Sequence, residues 1–265
     1  MIKTALIIGF GEVGRAHWKV LKEQYAGKLF YKDKGPEIYD TDQKVVELKE
    51  YPDLLMIATQ CDPNDIKSFC AMVYEYACRY MPGYIDILTT TPCGTVDELQ
   101  SIIWSASITK STIRGMHPCL DKFLIDIPKH IGGPCADKLK DYYGGAGVPC
   151  VTHAKARATE LFHVLNNSDY GVATMKAQEN YDLCRHYGVD YMEYLEYKKT
   201  NNKGFIKAGY PSKVSPILTP PNGPIGGHCV VYSASTIPQN IRGPLMDRLA
   251  IYNDRFNAPV KSDKN

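Results

Sequence analysis

The chain's apolar residues fall into short runs separated by stretches of helical period. Thr4 to Ile8 is such a run, a glycine loop follows at once, and Arg15 to Leu21 then repeats as a helix does. Further strand-like runs stand at Lys28 to Lys32, Leu54 to Ala58, Ile85 to Thr89, Ser111 to Met116 and Lys129 to Ile131. A helical stretch from Asp65 to Tyr80 lies between the third and fourth of these six runs. Strands alternating with helices predict an α/β fold with a doubly wound, mostly parallel sheet ending near residue 150.

Past that point the pattern changes. Lys155 to Tyr187 reads as one long helix with no proline and a single internal glycine, Gly171. Leu161, Val164, Leu165, Val172, Met175 and Leu183 are placed to line its buried faces. A helix of this length needs a packing partner, and a second copy of the chain is the expected one, giving a homodimer. Tyr210 to Pro224 carries five prolines and reads as an extended loop, and Asn240 to Phe256 as a final helix. The expected division is a sheet domain over residues 1–150 and a smaller, mainly helical domain over 151–265.

Composition narrows the function classes. Of 265 residues 44% are hydrophobic and 23% charged, ordinary for a globular protein. A net charge of +2 gives no bulk attraction to nucleic acid or an anionic membrane. Apolar runs such as Ala5 to Ile8 are far too short to span a bilayer, and the first residues are already a strand, with no signal-peptide pattern. Nine cysteines without C-x-x-C spacing predict reduced thiols in a cytoplasmic setting, with no disulfide framework and no metal site. Cys70, Cys78 and Cys184, on helical patterns, are expected to be small core residues.

The loop Gly9-Phe10-Gly11-Glu12-Val13-Gly14 sits between a strand and a helix, the context in which G-x-G-x-x-G holds a dinucleotide. Its glycines permit a tight turn, close approach of a pyrophosphate and close helix–strand packing, while the helix N-terminus faces the phosphates. Asp33 lies 19 residues beyond Gly14, where it can accept hydrogen bonds from ribose hydroxyls. An acid there favours NAD over NADP, although Lys32 and Lys34 flank it and weaken the preference. The sheet is therefore expected to be of Rossmann type. Gly9, Gly11, Glu12, Val13, Gly14, Asp33 and Thr59 are the candidate cofactor residues, with Thr90 joining them below.

Gly226-Gly227-His228-Cys229 places a thiol after a glycine turn with a histidine beside it. Cys229 is then either a nucleophile activated by a neighbouring positive group or a small residue buried after a turn. The wider chain resembles the UDP-glucose/GDP-mannose dehydrogenase family, especially its branch oxidising nucleotide-linked N-acetylhexosamines. The resemblance is carried by the GFGEVG loop and by Thr89-Thr90-Thr91-Pro92-Cys93-Gly94-Thr95, similar to S-T-x-P-x-G-T. Ile127-Pro128-Lys129-His130-Ile131-Gly132-Gly133 and the Gly226-Gly227-His228-Cys229 turn complete it, and Glu160 to Asn167 matches the family's central dimerisation helix.

The resemblance implies that Cys229 attacks an aldehyde intermediate, giving a thiohemiacetal that yields a second hydride to NAD before water releases a carboxylate. It also implies Asn167 as the helix asparagine and Thr90 as the threonine near the nicotinamide. Glu160, His163 and Asn167 recur at i, i+3 and i+7, so one helical face can present all three. The chain departs from the family in having His163 where a lysine stands, Ser233 where an aspartate follows the cysteine, and Met116-His117-Pro118-Cys119 in place of an S-P-E segment. It ends at Asn265, before the family's C-terminal nucleotide-sugar domain of roughly a hundred further residues.

Three functions follow. One is an NAD-dependent oxidoreductase using Cys229 with His163, Asn167 and Thr90 on a small alcohol or aldehyde, a nucleotide sugar among the candidates. Another is a catalytically degenerate NAD-binding sensor or scaffold. The third is a two-electron dehydrogenase in which Cys229 is structural.

Overall fold

Four-residue strands, apolar except for Asp86 and buried on both faces, build the centre of the sheet: β1 (Ala5–Ile8), β5 (Leu54–Ile57) and β6 (Tyr84–Ile87). Side chains alternate across each strand, so Leu6, Ile8, Leu55 and Ile57 enter one core while Ala5, Ile7, Leu54 and Met56 enter the other. Both faces must then be covered by helices. The computed structural model describes residues 2–116, 118–220, 223–225 and 229–254.

The remaining strands are β2 (Leu29–Lys32), β3 (Ile38–Tyr39), β4 (Val45–Val46), β7 (Ser107–Ser111), β8 (Lys129–Gly132) and β9 (Cys150–His153). Their order is β4-β3-β2-β1-β5-β6-β7-β8-β9. β2, β1, β5, β6 and β7 are parallel, and the β3–β4 hairpin adds antiparallel to β2. β8 runs antiparallel to β7, and β9 is parallel to β8. The chain leaves β1 to one side for β2 and returns on the other for β5, which creates the crevice where doubly wound sheets bind ligands.

Among the described residues, five helices belong to the sheet: α1 (Glu12–Leu21), α2 (Ile66–Tyr80), α3 (Thr95–Ile102), α4 (Leu120–Asp126) and α5 (Ala136–Gly145). Asp65 caps α2, its carboxylate accepting from the Ser68 amide at 3.1 Å. The later elements are α6 (Ala156–His186), α7 (Tyr191–Lys207), a 3₁₀ turn at Pro211–Lys213, α8 (Val230–Ser235) and α9 (Pro244–Ala250). The chain divides into two compact units, Met1–Val164 and Leu165–Asn265. In the second, Ile225, Ala234, Leu249 and Tyr252 pack with Val172, Met175 and Val230. A side chain at Gly171 would meet Leu249 and Val230 at 2.7 Å, so this glycine lets α8 and α9 lie close against α6. Among the described residues no helix is long and apolar enough to cross a membrane.

Several expectations are corrected. The strand expected over Ser111 to Met116 is β7, ending at Ser111, because Ile108 to Lys110 pair with β6 and Gly115 breaks the chain at φ +133°. The final helix is seven residues long, not the span Asn240 to Phe256, since Pro244 fits only a first helical turn. Residues 255 and 256 lie outside the described residues. Cys78 is exposed: the buried stripe of α2 runs through Cys70, Val73 and Ala77, and the next residue turns away from it. On α6, Val164 is buried but Leu161, Leu165 and Leu183 are 41%, 39% and 54% exposed. The β3–β4 hairpin, β9 and α7 were not anticipated.

Candidate active site

Gly9 ends β1 with φ +92°, and a side chain there would lie 2.9 Å from the Ala58 carbonyl group. At Gly14 an added carbon would stand 2.0 Å from the Gly9 carbonyl oxygen, so α1 approaches β1 as only a glycine allows. Gly11, by contrast, has open space around its Cα. Arg15 makes the first hydrogen bond of α1, to the Gly11 carbonyl at 2.9 Å, so the amides of Glu12, Val13 and Gly14 precede the helical ladder. Asp33, exposed just past β2, accepts from the Phe10 amide at 3.2 Å and is thereby fixed against the loop.

The parallel strands β1, β5, β6 and β7 end side by side, which lines up four loop segments along one edge. The glycine loop comes first and Thr59 second. The Thr59 hydroxyl is buried and has no hydrogen-bond partner among the described residues. Thr89, beyond β6, donates to the Thr59 carbonyl at 2.5 Å and ties the second loop to the third. A glycine cradle, an acid held beside it and an orphaned hydroxyl one strand along are the features a dinucleotide requires, and the residues present fit that group.

Thr90 is buried, and its hydroxyl lies 3.4 Å from Nε2 of His163 on α6. Nδ1 of the same imidazole is 3.3 Å from Nζ of Lys110, a wholly buried lysine at the end of β7. Burial, reinforced by Lys110, holds the His163 pKa well below its ordinary value, so the ring is neutral at neutral pH. Glu160 faces inward on the same helix but serves a different purpose. Its carboxylate accepts from the amides of Gly94 at 2.6 Å and Val96 at 2.9 Å, capping α3. Burial raises its pKa.

Beneath this edge lies a second buried polar network. Lys129 Nζ donates to His17 Nε2 at 3.0 Å, and His17 Nδ1 faces the Val13 carbonyl at 2.8 Å. Asp86 accepts from Tyr143 at 2.6 Å, Ser111 at 2.8 Å and Thr109 at 3.2 Å. Burial pulls Lys129 down to about 8 and His17 well below its ordinary value. None of Lys110, Lys129, Asp86 or His17 entered the sequence-based site. The available signal was a charged residue inside an apolar strand run, as Asp86 stands in Ile85-Asp86-Ile87-Leu88.

In the second unit Cys229 is a half-buried cysteine, not in a disulfide, at the start of α8. Ser233 donates to the Cys229 carbonyl at 2.6 Å and receives the Asn167 amide at 3.1 Å. A serine at this position therefore does orient Asn167, although it brings no charge. Gly226, Gly227 and His228 lie outside the described residues, as does His117 of the Met116–Cys119 segment. Three other thiols, Cys78, Cys93 and Cys119, are exposed, while burial pushes Cys70 and Cys150 to about 11 and Cys135 to about 12. Among the described residues no group of three or more His, Cys, Asp or Glu side chains is arranged to hold a metal ion.

No known family's sequence model matches the chain, and no curated protein does. Solved structures do. A UDP-D-ManNAc dehydrogenase from Pyrococcus horikoshii superposes with a TM-score of 0.77 at 17% identity, covering 96% of this chain and 69% of that one. A UDP-glucose dehydrogenase from Pyrobaculum islandicum gives 0.72 at 16%, covering 96% and 68%. The 3-hydroxyisobutyrate dehydrogenase of Mycobacterium tuberculosis gives 0.68 at 13%, covering 97% and 94%. With a Rossmann-type sheet, a long central helix and a helical second unit, the chain has the fold of the nucleotide-sugar dehydrogenases over about two thirds of their length.

Proposed function

We propose that this chain is an NAD-dependent dehydrogenase of a small alcohol or aldehyde, a nucleotide sugar being one candidate substrate. The observation that carries the reading is the cradle formed by Gly9, Gly11 and Gly14 with Thr59 beside it. The fold shared with dehydrogenases of sugar nucleotides and of 3-hydroxyisobutyrate supports it.

Gly9, Gly11, Glu12, Val13 and Gly14 would hold the pyrophosphate, Asp33 the adenosine ribose, and Thr59 and Thr90 the part of the cofactor lying over β5 and β6. When bound, NAD supplies the hydride acceptor. Thr90 and His163 form a polar pair at the end of the same edge, suited to holding a substrate oxygen. Cys229 is the candidate nucleophile, with Asn167 held in place by Ser233. In this reading residues 1–150 bind the cofactor and 151–265 supply the thiol and the dimer contact.

NADH formation across sugar nucleotides and simple alcohols tests the proposal. Cys229→Ser should cut turnover by about a thousandfold or more, as removal of a covalent nucleophile does. Turnover that survives would remove the covalent role and leave a two-electron dehydrogenase. NAD binding without turnover on any substrate would instead favour a sensor.

The exposed Leu161, Phe162 and Leu165 on α6 supply an apolar surface for a second copy. Sedimentation should give twice the 29.7 kDa chain mass, with Leu165→Glu shifting it to monomer. A monomeric wild type would end the dimer proposal.

A further inference from the structure

The two buried lysine–histidine pairs hold their imidazoles by opposite nitrogens. At His17, Nδ1 faces a carbonyl oxygen, which can only accept, so the proton sits on Nδ1 and Nε2 receives the Lys129 ammonium. At His163 the lysine meets Nδ1 instead. An ammonium has three donors and no acceptor, and Lys110 directs one toward the Ser111 carbonyl at 2.6 Å. Nδ1 of His163 must then be the acceptor, and the single proton of a neutral ring falls on Nε2, 3.4 Å from the Thr90 hydroxyl.

We propose that Lys110 is a positioning residue that fixes His163 as the Nε2–H tautomer, so that a neutral but cation-polarised imidazole is the hydrogen-bond donor to the substrate oxygen beside Thr90. In this arrangement His163 is an electrophile and not a base, because the nitrogen that could take a proton is already occupied by Lys110. The positive charges of Lys110, Lys129 and Arg114 around the ring, together with its burial, oppose a second proton. The lysine's charge is thereby passed to the substrate through the ring, since a donor is strengthened when its other end receives a charge-assisted hydrogen bond. The part concerning substrate rests on the dehydrogenase reading; the tautomer does not.

The test is nitrogen NMR of protein labelled with ¹⁵N-histidine, without substrate, at neutral pH. Signals lost in His163→Asn and His17→Gln assign the two rings. The expected result is Nε2–H at His163 and Nδ1–H at His17 in the same spectrum. Lys110→Met should leave NAD-dependent thermal stabilisation in place, convert His163 to a tautomer mixture and lower kcat about tenfold to a hundredfold with KM little changed. Nδ1–H or a doubly protonated ring at His163 in the wild type would overturn the proposal, whether or not Lys110→Met folds. So would a Lys110→Met protein with wild-type tautomer and kcat. A protein without turnover on any substrate that still shows the expected tautomers would refute the dehydrogenase reading and leave the lysine–histidine assignment standing.

Discussion

Gly14→Ala should lower stability whether or not nucleotide is present, while Gly11→Val should remove nucleotide binding and leave the fold. At Gly14 the new carbon would sit 2.0 Å from a backbone oxygen, which cannot swing aside as a side chain can. The strand–helix junction must open, at a cost of about 3 kcal/mol. In a chain of 265 residues that corresponds to a melting point lower by roughly 6–12 °C. Gly11 has nothing within 4 Å of its added carbon, so valine there changes little beyond the helix cap, about 1 kcal/mol. The space that valine fills is where the cradle would receive a pyrophosphate. With NAD at a hundred times its Kd the wild type should gain about 2.7 kcal/mol, and Gly11→Val none of it. Thermal melts with and without NAD read both effects. A Gly11→Val protein that NAD still stabilises would remove the cofactor assignment.

Mild acid should destabilise the protein steeply. His17 and His163 are both fully buried, and burial holds their pKa values well below the ordinary 6.5. As pH falls through 6.5 the unfolded chain takes up two protons at these positions and the folded chain none. Their contribution is therefore intact above about pH 7 and is lost progressively on acidification. Once the unfolded rings are charged, the slope is about 2.7 kcal/mol per pH unit for two groups. Glu160 acts in the opposite direction, because its raised pKa lets the folded state bind a proton first, but only toward its ordinary value of 4.5. Urea unfolding between pH 7 and 5.5 isolates the histidines. His17→Gln should lower the slope by about 1.4 kcal/mol per pH unit, His130, whose pKa burial also lowers, adding its own share in the same direction; a wild type equally stable across that range would show that neither ring is held neutral.

The sheet was legible because its evidence is local. The central strands β1 and β5 are four-residue apolar runs beside a turn or helix signal, β6 differs from them by Asp86, and Gly9, Gly11 and Gly14 announce their own geometry. The buried lysines were not legible, since nothing within reach of Lys110 in sequence marks it as buried. Its partner His163 is 53 residues away, and Lys129 reaches a histidine 112 residues away. Glu160 shows a different limit. Helical spacing placed it on the face of His163, but not that Gly94 and Val96, more than sixty residues earlier, would claim its carboxylate. The exposed leucines of α6 were misjudged because periodicity identifies an apolar stripe without saying what covers it.

The reversal of β8 changes which connections an engineer should alter. In a wholly parallel sheet the segments entering the strands lie at the end remote from the crevice, and their length is neutral to selectivity. Here Ser111, at the finish of β7, stands opposite Ile131, so Lys129 at the outset of β8 lies beyond it, toward the crevice. β9 keeps the reversed direction, pairing Cys150 with Lys129. The short connections at Ile127–Pro128 and at Ala146–Pro149 thus border the functional rim. On the proposed dehydrogenase function, randomising these two segments, and not the ones leading into β5 or β6, should alter substrate preference.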